Sequence, residues 1–210
     1  MRILSNLCTE RLAMAEFKIP VKHMSWKNFP GKDVVERIIE AQRFAELDQY
    51  RATTHNKGIM NGIDAVALAL GQDWRAIEAA AHSYAALGDN RYGPLTRYRV
   101  SKHGEYFEGR IEMPLSVGTK GGAIETNPSY INTHSILGFP TSVELGHIMV
   151  SVGLAQNLAA LRALSMEGIQ RGHMNLHARN VAIQAGVPQD LVPEVVEFMK
   201  MRNRINVKAA

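Results

Sequence analysis

From Ser142 to Leu164 the chain is apolar over a length that must either cross a membrane or be buried in protein. Glu144, His147, Gln156, Asn157 and Arg162 interrupt the run, so it reads as one long helix in a soluble or dimeric core. Gly146, Gly153 and several alanines leave room for close packing of a second helix. The rest of the chain is therefore expected to be organised around a long central helix.

Shorter patterns supply what surrounds it. Val34, Val35, Ile38, Ile39, Ala41, Phe44 and Ala45 recur at helical spacing after Gly31, and Trp74 to Leu87 is an alanine-rich helix. Leu95 to Ser101 and Tyr106 to Pro114 alternate and are joined by a glycine-bearing connection, which predicts a β-hairpin. Phe17 to His23 also alternates and contains Pro20, so it is expected as a strand at a sheet edge. Ile3, Leu4, Leu7 and Leu12 sit near helical offsets, which predicts a helix over the first fifteen residues. A last helix is expected from Pro188 to Lys200, ahead of a basic end. These elements define an α+β fold: helix-rich, with an antiparallel sheet and a C-terminal helical appendage.

Bulk properties narrow the function. With 24 Lys plus Arg against 20 Asp plus Glu, the net charge of +4 is modest and spread along the chain, so nucleic acid is not demanded. Cys8 is the sole cysteine, which forbids an internal disulfide and suits a reducing cytoplasm. No signal-peptide pattern opens the chain and no stretch reads as membrane-spanning, so a soluble cytoplasmic protein is expected.

Chemistry is densest in Arg51-Ala-Thr-Thr-His-Asn-Lys57-Gly-Ile-Met-Asn61-Gly-Ile-Asp64, followed by Gly71-Gln-Asp73-Trp-Arg75. A guanidinium, an ammonium, carboxamides and carboxylates between glycines suit an anionic, carbonyl-bearing substrate. Glycines 58 and 62 allow tight turns, and the apolar spacing of Ile59, Met60, Ile63, Val66, Ala67 and Leu70 places Lys57 at the start of a buried helix. A cation there opposes the helix dipole and would want a carboxylate such as Asp73 beside it. Asp73 reads equally as the N-cap of the helix that follows, and Lys57 as a solvated loop lysine. Pro114 to Ala123 forms a glycine-rich loop that could present N–H groups to phosphate or an oxyanion, although it lacks the P-loop pattern and also reads as a tight turn. His173 and His177 share a helical face, but Met174 stands where a zincin has glutamate and no cysteine cluster supplies ligands, so no metal is expected.

The run His55 to Asp64, the segment from Gly71 to Ala79 and Gly172-His173-Met174-Asn-Leu-His177-Ala-Arg-Asn180 together resemble 3-hydroxy-3-methylglutaryl-CoA reductase in its bacterial-type, class II form. The resemblance runs over essentially the whole chain, which looks like the C-terminal half of such an enzyme. It implies an NAD(P)H-dependent, four-electron interconversion of HMG-CoA and mevalonate plus CoA, with NAD or NADP as cofactor. Lys57 would stabilise and protonate the carbonyl oxygen as it turns anionic. Asp73 would keep that lysine charged and oriented. His173 would protonate the departing CoA thiolate, Arg51 would pair with the substrate carboxylate, Asn61 would hydrogen-bond near Lys57, and Asn6 would lie near the cofactor. His177 is left as a neighbour of His173 without an assigned role.

The same resemblance implies that residues 1–12 are the tail of a dinucleotide-binding domain, 13–166 part of the large catalytic and CoA-binding domain, and 167–210 a mobile segment that closes over substrate. It implies dimers with active sites at the interface, or assembly with an N-terminal half that carries a further catalytic glutamate. Little or no activity is expected of this polypeptide alone. The competing expectation is a non-catalytic dimerisation or CoA-binding remnant of that family.

Overall fold

The computed structural model describes the chain apart from Asp89, Asn90, Glu167, Asn203, Ala209 and Ala210, and for residues 169–176 it describes the backbone alone. The chain divides into two compact units, Met1–Ser165 and Met166–Ala210.

The first unit begins with a segment in no regular structure and then strand β1 (Leu12–Pro20). A helix was the expectation from Ile3, Leu4, Leu7 and Leu12, and the structure corrects it. From Leu12 onward the chain pairs residue for residue with β3 (Tyr106–Pro114), from Leu12 opposite Pro114 to Pro20 opposite Tyr106. A few apolar residues at helical offsets do not outweigh a nine-residue ladder to a distant strand. β1 is an edge strand, and Pro20 ends it, as expected of a residue without an N–H. β2 (Thr96–Val100) pairs antiparallel on the other side of β3, giving the order β1-β3-β2. Gly109 lies opposite both Phe17 and Tyr98, whose rings close over it; a Cβ there would meet Tyr98 Cε1 at 2.7 Å.

Helix α1 (Gly31–Leu47) and helix α2 (Gln49–Ala69) are separated by Asp48 alone, whose side chain caps α2 by accepting from the Arg51 amide at 2.7 Å. This corrects the placement of Lys57: it is the ninth residue of α2, well inside the helix, and Gly58 and Gly62 are helical rather than turn residues. Gly62 is there for packing. Helix α5 (Ser142–Met166) crosses α2 so closely that a Cβ at Gly62 would stand 2.9 Å from Gln156 Cβ, and one at Gly153 would stand 2.8 Å from Ile63 Cδ1. Two glycines, one per helix, set that crossing, and Ile59, Met60 and Ile63 are sealed beneath it. Each such buried side chain contributes about 1.5–3 kcal/mol of burial. α5 is long and apolar enough to span a bilayer, but its buried residues, among them Leu145, Met149, Val150 and Leu154, belong to this core.

Helix α3 (Trp74–Ala85) returns along α2, and helix α4 (Pro128–Ile136) follows the glycine-rich loop. One buried polar cluster ties helices to sheet. His55 Nε2 lies 2.6 Å from Thr96 Oγ1, which in turn donates to Asn157 Oδ1 at 3.1 Å; Tyr98 donates to the same oxygen at 2.8 Å, and Gln42 Nε2 donates to Thr96 O at 2.7 Å. Because the threonine proton goes to Asn157, His55 must donate from Nε2, which leaves its buried Nδ1 without a partner. Burial, followed by the nearby Arg51 charge, pushes His55 down to about 3, so the ring is neutral.

The second unit is a helical hairpin, α6 (Ile169–Gln184) and α7 (Val192–Met201), closed by Ala178, Val181, Ala182, Val192, Val196 and Met199. Gly186, with φ of 81°, makes the turn between them, a conformation that favours glycine.

Candidate active site

The buried face of α2 carries Ala52, His55, Asn56, Ile59, Met60, Gly62, Ile63 and Ala67. By helical geometry the opposite face aligns Thr54, Lys57, Asn61, Ala65 and Leu68, all exposed. Lys57 and Asn61 are one turn apart on that stripe, so the ammonium and the carboxamide present themselves together. Among the described residues Lys57 has no hydrogen bond and no carboxylate within ion-pair distance. Arg51 lies six positions earlier, about 9 Å along the axis and about 120° around it. It is half-buried, which depresses its guanidinium from the ordinary value, and it too has no carboxylate partner among the described residues. Three of the residues singled out from sequence thus share one rigid helix.

Asp73 does not join them within this chain. Twelve helical residues separate Lys57 from the end of α2 at Ala69, about 18 Å along the axis, and Asp73 lies beyond that end. Neither side chain is long enough to span the gap. The expected pairing of Lys57 with Asp73 is therefore not made inside one subunit, for a reason sequence spacing concealed: the intervening residues form straight helix rather than a turn that folds back.

What Asp73 does here is cap α3, its Oδ1 accepting from the Ala76 amide at 3.1 Å. The turn that bears it is held from several sides. Gln72 pairs both ends of its amide with Gly118, donating from Nε2 at 2.8 Å and accepting at Oε1 at 2.9 Å. Thr133 Oγ1 donates to Ala69 O at 2.8 Å, and the buried His134 reaches Leu70 O through Nε2 at 3.2 Å. Gly71, with φ of 68°, lies flat beneath the Tyr130 ring, where a Cβ would approach to 2.8 Å. The glycine-rich loop is thereby fastened to the Asp73 turn. Around Gly118, Gly121 and Gly122 nothing lies within 4 Å of where a Cβ would stand, so a ligand can approach that backbone. The Gly121 N–H is taken by Glu125 at 2.8 Å.

Of the remaining candidates, Asn6 is exposed in the non-helical segment before β1. The His173 side chain lies outside the described residues, and His177 is exposed on α6. A broad groove over the sheet is lined by charges that mostly pair, Lys18 and Arg99 with Glu108, Arg97 with Glu46 and Arg110 with Glu112, and neither Lys57 nor Asp73 borders it.

Sequence reasoning missed a second polar array between α2 and α3, built from Asn56, Asp64, Glu78, His82 and Tyr92. The i, i+4 spacing of Glu78 and His82 was the available signal.

The chain is an α+β fold that presents a lysine and an asparagine, without partners among the described residues, on the open face of a central helix. Comparison with known proteins makes the class specific: residues 1–178 match the family model described as hydroxymethylglutaryl-coenzyme A reductase, and the chain belongs to that family. It is 50% identical over 210 residues to the 3-hydroxy-3-methylglutaryl-coenzyme A reductase of Archaeoglobus fulgidus, covering 100% of this chain and 46% of the relative. It is 40% identical over 185 residues to a probable reductase of Borreliella burgdorferi, covering 86% of this chain and 41% of that one. The class II reductase of Streptococcus pneumoniae bound to NADPH in open conformations superimposes with a TM-score of 0.74 at 43% identity, over 98% of this chain and 49% of the other. The chain spans about half the length of the relatives it matches.

Proposed function

We propose that the exposed face of α2 is the oxyanion-stabilising part of a hydroxymethylglutaryl-CoA reductase site, working in the interconversion of HMG-CoA and mevalonate in the cytoplasm. The observation that carries this is Lys57 with Asn61 one turn away, on a helix seated by the Gly62–Gly153 crossing and with no carboxylate partner among the described residues.

The chemistry follows from what each group can do. Reducing a thioester carbonyl places negative charge on its oxygen. Lys57 can stabilise that charge and deliver the proton, with Asn61 positioned to hydrogen-bond beside it. Arg51, charged and without a carboxylate partner among the described residues, suits the free carboxylate of the 3-hydroxy-3-methylglutaryl group. His173 takes the role of protonating the CoA thiolate, a role that rests on its place in the motif from Gly172 to Asn180. NADPH or NADH supplies hydride when bound. The resemblance assigns Asn6 to holding it; the Gly118 and Gly121 amides of the glycine-rich loop are already bonded to Gln72 and Glu125.

Because about 18 Å of helix axis separates Lys57 from the end of α2, with Asp73 beyond that end, the reading requires their partnership to form across two chains. In a two-fold dimer each α2 face would receive the Asp73 turn of the other copy. In this scheme residues 13–166 form the CoA-binding catalytic part.

The test is a reductase assay with HMG-CoA and NADPH or NADH on the chain alone, and on the chain mixed with the portion of the Streptococcus pneumoniae enzyme that it does not match. Turnover in the mixture that is abolished by Lys57→Ala supports the reading. Turnover that survives Lys57→Ala contradicts it, and CoA binding without turnover in either arm would favour a non-catalytic member of the family.

A further inference from the structure

His55 and Asn56, the two residues ahead of Lys57 on α2, are both sealed from solvent, and both direct their polar atoms to one short stretch, residues 92–96. His55 reaches Thr96, as described above. Asn56 Oδ1 accepts from the Leu95 amide at 2.9 Å, which fixes the orientation of the carboxamide and makes Nδ2 the donor to Gly93 O at 2.9 Å and to the Tyr92 hydroxyl at 3.0 Å. Apolar burial of Ile59, Met60 and Ile63 holds α2 against the core, but it sets the rotation of the helix less sharply than bonds with a preferred direction do. The bonds at 55 and 56 therefore fix the angle at which the next residue leaves the helix, and the next residue is Lys57.

The Tyr92 bond continues outward to α3. Because the Tyr92 oxygen accepts from Asn56, its own O–H is available for His82 Nδ1, 2.6 Å away. Nδ1 is then the acceptor and the ring proton sits on Nε2, 2.8 Å from Glu78 Oε2. The opposite tautomer would set the Nε2 lone pair against the Glu78 carboxylate, so the geometry selects this order. The two rings lie nearly parallel, 18° apart in plane with centroids at 6.0 Å. Burial, against a smaller opposing influence of Asp64, holds His82 below its ordinary range, in keeping with a neutral ring that accepts at Nδ1. Every donor in the run points the same way, from Asn56 through Tyr92 and His82 to Glu78, and bonds aligned in this manner strengthen one another.

We propose that Tyr92, oriented by His82 and Glu78, is a positioning residue for Lys57 and Asn61, acting through Asn56. Its place in a reaction rests on the reductase reading above; the donor order and its effect on α2 do not. Tyr92 touches no substrate on this account. It steadies the helix from which Lys57 and Asn61 project, and His82 keeps its hydroxyl turned so that the oxygen faces Asn56.

The experiment uses the whole chain at neutral pH, with the His82 ring nitrogens and the Lys57 and Asn61 side chains followed by NMR and the melting temperature measured in parallel. In the wild type Nε2 of His82 carries the proton and Nδ1 is a hydrogen-bonded acceptor. Tyr92→Phe removes the hydroxyl and keeps the ring, so the Nδ1 resonance moves to that of an acceptor without a donor and the Lys57 and Asn61 resonances shift. Tyr84→Phe, which removes the hydroxyl that α3 gives to Glu112 at 3.2 Å, moves none of them. His82→Gln can accept from Tyr92 and donate to Glu78, so it keeps Lys57 and Asn61 near their wild-type resonances. His82→Leu displaces them as Tyr92→Phe does, and the two changes together displace them no further. In the reductase assay described above Tyr92→Phe lowers kcat by up to about 10²-fold with little change in KM.

Lys57 and Asn61 resonances that stay put in Tyr92→Phe overturn the positioning role even where the melting temperature falls, because a residue that only stabilises the fold would lower stability alone. Resonances that move while kcat holds overturn it as well. A wild-type His82 with its proton on Nδ1, or a His82→Gln as disruptive as His82→Leu, overturns the donor order. If the resonances behave as expected and no turnover depends on Lys57, the positioning of Lys57 stands and only the reductase reading is lost.

Discussion

The middle of α2 and the turn that ends it carry the two charges that sequence most invites one to pair, and the structure treats them in opposite ways. Asp73 is accounted for locally: it caps α3, and its turn is fastened by Gln72, Thr133, His134 and the Tyr130 ring. Lys57 is exposed on a helix held rigid from beneath, with no partner among the described residues. A polar group whose bonds are all made inside the chain is explained by folding. One left unmade on a fixed support is open to something outside the chain, which in the reading proposed above is substrate and the acid of a second copy.

Substitutions can break or sharpen that contrast. The largest effect is expected at Lys57: Lys57→Ala should lower turnover by about 10²–10³-fold in the reductase assay, the scale of losing one oxyanion donor, while leaving the melting temperature unchanged. Ile63→Ala, beneath the same stripe, should do the reverse and cost about 2–5 kcal/mol of stability in denaturant unfolding, because the residue is fully buried where α5 crosses. Asp73 separates cap from charge. Asp73→Ala should cost about 1 kcal/mol of stability, whereas Asp73→Asn, an equally good cap, should leave stability nearly intact and still depress turnover.

A smaller effect distinguishes the buried polar groups by pH. His55 is neutral in the folded chain with its value pushed down to about 3, so the unfolded chain binds the extra proton between about 3 and 6.5 and stability falls as the solution is acidified through that window. Asp64 behaves oppositely: the folded chain binds the extra proton between 3.8 and about 7, and stability falls as pH rises. His55→Gln should flatten the acid side alone and Asp64→Asn the neutral side alone, as followed by thermal unfolding across pH.

The regular elements were mostly legible in sequence because their patterns are local. The spacing of Val34, Val35, Ile38 and Ala45 marked α1, the alternation after Leu95 marked the hairpin, and the polar interruptions of the long run identified α5 as a core helix. The failures came where a distant partner decides. Leu12 joins a strand because β3 is there to pair with it, and a glycine stands inside α2 at position 62 because Gln156 leaves no room for a Cβ; a reader of sequence sees neither neighbour. Arg51, Lys57 and Asn61 were legible as one group in sequence, and all three lie on α2, with Lys57 and Asn61 on one face and Arg51 turned away from them. The separation of Lys57 from Asp73 was not, since sixteen residues can be a loop that returns or a helix that does not. The run from Asn56 to Glu78 through Tyr92 was hidden by its scatter over three segments.

The partnership of Lys57 with an acid from another chain is tested most directly by mixing two inactive variants, Lys57→Ala and Asp73→Asn, in the reductase assay. If the site forms across a two-fold interface, mixed dimers contain one intact Lys57–Asp73 site each, and equal amounts of the two chains should restore about a quarter of wild-type turnover. If each site is completed within a single chain, the mixture will be as inactive as its components.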